Sequence, residues 1–142
     1  MKIMKLSLSI FAAIALAFVL VGNAQAQMIP EASEDVRQAT ALEILKKTPD
    51  AVLIYAEGLC CQSCGIGVRK KIEELDFVDL SRFNQGVELH PSTQLATIAI
   101  KKGKKAKGKA LAKAIEDAGY DPVNLYELKK GKLVVTSIAL EK

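Results

Sequence analysis

This sequence has little of what many binding and catalytic sites are built from. Its 142 residues include no tryptophan, one histidine and three cysteines, and aromatic residues make up 5% of the chain. Three cysteines cannot all pair within one molecule, so at least one sulfur is left as a thiol, a metal ligand or an intermolecular partner. His90 has no evident partner and reads as an ordinary polar residue at a strand end. A zinc site of three cysteines plus His90 has no support in the spacing. The chain also lacks an arginine cluster and zinc-finger spacing, and no aromatic residue interleaves its one lysine-rich run, Lys101–Lys109. Those absences argue against nucleic acid as a partner. The run holds six lysines and two glycines, with Lys113 beyond it, and reads first as a solvated loop and helix entrance. Its functional alternative is to steer an acidic partner or a membrane surface towards the domain.

What is present begins with a targeting pattern. Lys2 and Lys5 precede an apolar or small stretch from Leu6 to Gly22, and Ala24-Gln25-Ala26 supplies a small-x-small cleavage site. Residues 1–26 therefore read as a signal peptide, which implies a periplasmic or secreted protein. The apolar run is short for a bilayer crossing and no basic stop-transfer charges follow it, so no stable membrane span is expected in the mature form. No cysteine stands at the cleavage position to take a lipid. Cleavage leaves Gln27–Lys142, 116 residues with 18 basic and 16 acidic side chains. One domain of that size can bury an ordinary core without disulfides.

Within it, residues 27–49 read as an N-terminal helical leader, with Ala39, Leu42 and Leu45 at helical spacing and Pro49 as its stop. Residues 50–142 form the main domain. Ala51–Ala56 suits a buried strand. Cys64, Val68, Ile72 and Leu75 mark one stripe of a helix. Val78–His90 reads as a strand region bent around Asn84-Gln85-Gly86, and Leu95–Ile100 as the next strand. Leu111, Ile115 and Ala118 mark a second helix that ends at Gly119. Val123–Leu128 and Leu133–Leu140 are two more strands around a turn at Lys129-Lys130-Gly131. The order predicts an α+β fold: a ferredoxin-like βαββαβ sandwich with an additional C-terminal strand and the N-terminal helical leader.

All three cysteines fall within the segment Gly58-Leu59-Cys60-Cys61-Gln62-Ser63-Cys64, at the expected junction of the first strand and first helix. Cys61 and Cys64 can bring two sulfurs onto one ion, and backbone N–H groups at the helix start favour thiolate over thiol. Thiolates select Cu(I), Zn(II) and other soft ions. Two sulfurs on a loop suit linear Cu(I) or Hg(II) and fall short of the four ligands of a structural zinc site. Cys60 can add a third sulfur, join two monomers through a metal or disulfide, or pack inwards. A Cys-x-x-Cys pair also suits a thiol–disulfide oxidoreductase. Against that, the chain has no aromatic residue before the first cysteine and no Gly-Pro between the pair. A structural domain bridged through its cysteines is a third reading.

This cysteine segment resembles the Gly-Met-Thr-Cys-x-x-Cys loop of heavy-metal-associated domains, and Ile115-Glu116-Asp117-Ala118-Gly119-Tyr120 resembles that family's closing Ile-x-x-Ala-Gly-Tyr. The resemblance spans roughly Ala51 to Leu128. It implies that Cys61 and Cys64 are metal ligands, that Leu59 fills the apolar position beneath the loop, and that Tyr120 lies beside the metal. Gly58 would permit the close approach of the loop. Cys60 replaces the family's threonine, and the region between the second and third strands reads as longer than usual. The family includes copper chaperones and mercuric-ion-binding proteins. The expectation is therefore an exported, non-enzymatic carrier or scavenger of Cu(I), with Hg(II) and Zn(II) behind it. Its expected partner is a thiol-bearing metal donor or acceptor, with a metal- or disulfide-bridged homodimer also open.

Overall fold

A computed structural model describes residues 31–141; the expected signal peptide and cleavage site lie outside them. Strand β1 (Ala51–Glu57) organises everything else. Alternate side chains of a strand point to opposite faces, and those of β1 enter two separate cores. Val52, Ile54 and Ala56 join one, while Ala51, Leu53 and Tyr55 join the other. That double burial explains why six successive residues are apolar rather than alternating.

Helices α2 (Gly65–Ile72) and α3 (Gly108–Asp117) cover the first face through Val68, Ile72, Leu111 and Ile115. Strands β2 (Val87–His90), β3 (Leu95–Ala99), β4 (Asp121–Lys129) and β5 (Lys132–Ser137) complete one antiparallel sheet in the order β2-β3-β1-β4-β5. This five-stranded α+β sandwich is consistent with an extended ferredoxin-like topology. The β4–β5 hairpin turns at Lys130 and Gly131, both at positive φ (52° and 75°). Two such residues match the twist of the flanking strands.

The first helix, α1 (Glu34–Lys47), packs across the second face of the sheet. Its entry is capped by Ser33, with Glu34 and Asp35 in the first turn and Lys46 and Lys47 in the last, each sign suiting its end of the helix dipole. The buried stripe is Arg37, Ala41 and Leu45, with Ile44 beside it. The expected stripe is corrected here: Ala39 is exposed and Leu42 only half-buried. Arg37 conceals the true period, since a cation reads as surface. It is 7% exposed, with its guanidinium 3.7 Å over the Tyr55 ring and ion pairs to Glu31 and Glu34. Tyr55 donates to Glu31 at 2.5 Å and Tyr126 to Glu34 at 3.0 Å.

Three other expectations need correction. Val78–Gly86 is a run of turns with isolated bridges from Val78 to Ile100 and from Asn84 to Val87, so the regular strand begins only at Val87. Phe83, Gln85 and Gly86 all take positive φ, which a continuous strand cannot accommodate. The extra length lies between α2 and β2, while the β2–β3 connection is short. Helix α2 stops at Ile72, and Leu75 follows in a turn, packed against the main core.

Candidate metal centre

The cysteine loop leaves β1 at its C-terminal end. The pairing of β1 with β4 shifts register between Tyr55 and Ala56, which face Asn124 and Pro122, an irregularity of the bulge type just before the loop. Gly58 then turns the chain at φ +89°, a conformation side chains rarely adopt. A Cβ at Gly58 would lie 3.2 Å from Cδ1 of Tyr120, so the tyrosine ring rests directly on this glycine. Leu59 drops into the main core at 1% exposure and anchors the loop from beneath. Burying a leucine in this way stabilises by about 1.5–3 kcal/mol. The Cys60 N–H then donates to the Gly58 carbonyl at 2.8 Å, which directs the following residues outwards.

Tyr120 is held by the end of α3. Gly119, at φ +94°, donates to the Glu116 carbonyl at 2.8 Å, and Tyr120 N–H reaches back to the Ile115 carbonyl at 3.2 Å. These paired bonds form a Schellman closure. The closing segment Ile115–Tyr120 and the loop Gly58–Cys64 therefore meet in space, joined through the contact of Tyr120 with Gly58.

Cys61 has extended backbone and caps a short 3-10 turn, Gln62–Cys64, that runs into α2. Its carbonyl accepts from Cys64 N–H at 3.3 Å, which folds the second cysteine back over the first. Cys61 and Cys64 are joined by a disulfide with their Cα atoms 5.5 Å apart, and exposed Cys60 is the free thiol. The sulfurs of Cys60, Cys61 and Cys64 all lie within 4.8 Å of one another. Thiolate–metal bonds are about 2.3 Å, so two sulfurs across a linear ion stand about 4.6 Å apart and a trigonal trio somewhat closer. Once the pair is reduced, the cluster is able to coordinate a soft metal ion with modest adjustment.

A hydroxyl donor and a helix start lie beside the sulfurs. Ser63 Oγ is 3.2 Å from Cys61 Sγ and can donate its hydroxyl proton to the sulfur. No acidic side chain occupies the first turn of either the 3-10 segment or α2, so nothing competes with a sulfur anion at this positive helix end. The Cys64 side chain packs against the main core. Next to it, Gly65 leaves room for Arg69 and Leu89: a Cβ there would come within 2.7 Å of Arg69 Nη1 and 2.8 Å of Leu89 Cδ1. Arg69 thus lays its guanidinium across the backbone one residue beyond Cys64. Sequence inspection missed Ser63, Gly65 and Arg69; only the position of Ser63 inside the Cys-x-x-Cys pair could have drawn attention to it.

His90 stays outside the sulfur cluster. Its Nε2 lies 2.8 Å from Thr97 Oγ1, and burial lowers its pKa from the ordinary imidazole value. Among the described residues no helix is long and apolar enough to cross a membrane. The arrangement is a small α+β domain whose Cys-Cys-x-x-Cys loop is positioned like the Cys-x-x-Cys motif of heavy-metal-associated domains. No family model, curated protein or solved structure matches the chain.

Proposed function

We propose that this protein is an exported carrier of a soft metal ion, Cu(I) before Hg(II) or Zn(II), which it passes to a thiol-bearing partner by ligand exchange. The observation that carries this reading is the convergence of three cysteine sulfurs within 4.8 Å on a surface loop at a helix start. Cys61 and Cys64 are the principal ligands and Cys60 the third. Gly58, Leu59 and Tyr120 support the loop, as they would in the heavy-metal-associated family. The ion is cargo. An incoming partner thiolate adds to it as one cysteine leaves, so neither metal nor sulfur changes oxidation state. Soft sulfur ligands favour Cu(I) and Hg(II) over hard ions, and three sulfurs leave a tetrahedral Zn(II) one ligand short. The amino-terminal pattern of residues 1–26 supports export.

The Cys61–Cys64 disulfide favours a second reading, thiol–disulfide oxidoreductase, in which the pair cycles with a protein substrate. One experiment separates the two. The reduced mature protein is titrated anaerobically with Cu(I), Zn(II) and Hg(II) against a competing ligand and followed by native mass spectrometry, alongside the oxidised form. The expected outcome is tight Cu(I) binding by the reduced form alone. Cys61→Ser should weaken it by roughly a hundredfold and Cys60→Ser by roughly tenfold, at about 1.4 kcal/mol per decade. Equal losses in the two variants would reject Cys61 as a principal ligand over Cys60. Absence of competitive binding, with turnover on a protein disulfide, would move the function to redox chemistry. Metal-dependent dimer masses would assign Cys60 to a bridge.

A further inference from the structure

Strand β5 widens the sheet past the helices that cover its main face, and this opens a corner at the opposite end of β1 from the cysteine loop. Leu125 and Thr136, partners across β4 and β5, both line it. Ile138 is tied back by its N–H to the Val123 carbonyl at 2.9 Å. Gly108, at the start of α3, keeps one wall low: a Cβ there would stand 3.4 Å from Ile138 Cγ2 and 3.5 Å from Leu125 Cδ2. The remaining space is an open cavity of about 710 Å³. That volume falls within the roughly 300–1,000 Å³ of small-molecule sites.

Its two parts differ in chemistry. The floor is aliphatic, formed by Val52, Ile100, Leu125 and Ile138. The rim carries Lys101, Lys102, Lys104, Lys105 and Lys129. The acidic residues that line the cavity are already engaged, Asp50 by Arg82 at 2.5 Å and Glu127 by Lys129 at 2.6 Å. Lys104 pairs with Asp76 at 3.6 Å. Lys102 and Lys105 have no ion-pair or hydrogen-bond partner among the described residues.

We propose that this cavity binds an amphipathic organic anion, a carboxylate or phosphate head on an aliphatic tail. The head sits between Lys102 and Lys105, and the tail lies along Val52, Leu125 and Ile138. Charge complementarity selects the head, and a floor of aliphatic carbons gives the tail a place that a bare anion would leave unused. The site is independent of the cysteines and goes beyond metal carriage.

The test is an NMR titration of the isotopically labelled mature protein, with Cys61 and Cys64 kept oxidised. The probes are hexanoate, octanoate, decanoate and decyl phosphate below their micelle concentrations, with inorganic phosphate, an acidic hexapeptide and anionic phospholipid vesicles as further arms. Saturable shifts are expected at residues 100–106, Leu125 and Ile138. Affinity should rise about two- to fourfold per added methylene, as expected for partial to full burial of each group. The double variant Lys102→Glu/Lys105→Glu, with an otherwise unchanged spectrum, should bind decanoate roughly tenfold more weakly or worse. Phosphate binding as tightly as decyl phosphate would reduce the site to a bare-anion patch and overturn the proposal. So would affinity independent of chain length, an undiminished response in the charge-reversed variant, or occupation by the peptide or vesicles without any response to decanoate.

Discussion

Gly58 is the residue on which the geometry of the cysteine loop depends most. Two separate constraints act there, a backbone at φ +89° and a tyrosine ring 3.2 Å from any added Cβ. Gly58→Ala should therefore destabilise the protein by about 1–3 kcal/mol, measured by urea denaturation of the oxidised form. It should also displace Tyr120, visible as a change in the tyrosine ring resonances. An alanine variant of full stability would mean that the loop can turn without glycine. The meeting of Gly58, Leu59, Tyr120 and the three cysteines around one loop was legible in the sequence because each occupies a recognisable place in a short motif. Arg69 was not, because a cation on a helix ordinarily reads as solvent-facing, and only the folded chain reveals its contact with Gly65.

At the level of elements, α1 is attached by a cluster more polar than its role suggests. Burial, reinforced by the bond to Glu31, pushes the Tyr55 phenol up to about 12. Burial also pushes Tyr126 up to about 12, with Glu34 adding to the effect. An unfolded tyrosine ionises near 10, so between about pH 10 and 12 the unfolded chain has released protons that the folded chain retains. Stability is then complete below pH 10 and falls as pH rises through this window. The denaturation midpoint should drop on the alkaline side, and Tyr126→Phe should remove part of that slope while costing about 1 kcal/mol at neutral pH. A midpoint unchanged to pH 11.5 would contradict the assignment. The same cluster explains why α1 was only half legible. Its end followed from Pro49, whereas its buried side follows Arg37 and Ala41, which hydrophobicity alone does not select. The remaining order of helices and strands was readable from apolar periodicity and turn glycines. Val78–Gly86 was not, because Phe83, Gln85 and Gly86 take positive φ and break a segment that resembles a strand in composition only.

For the molecule as a whole, the two candidate sites occupy opposite poles of one strand. β1 has seven residues, about 23 Å at 3.3 Å per residue, and it begins at the lysine-rimmed cavity and ends at the cysteines. Interaction between exposed charges over that distance is largely screened at physiological salt. Decanoate affinity should accordingly be the same within about twofold for the oxidised, reduced and Cu(I)-loaded protein, measured by parallel titrations. A larger coupling would require β1 itself to shift between states.

The central place of β1 also has a consequence in time. Leu53 pairs with Thr97 on one side and Tyr126 on the other, so the strand is synthesised long before either neighbour exists. Such distant pairings slow folding, and no closed sheet can form until nearly the whole chain is available. Throughout that interval Cys60, Cys61 and Cys64 lie on an unpaired segment. Any oxidant or metal that reaches them in that interval acts on an unfolded chain, before there is a fold to choose between them.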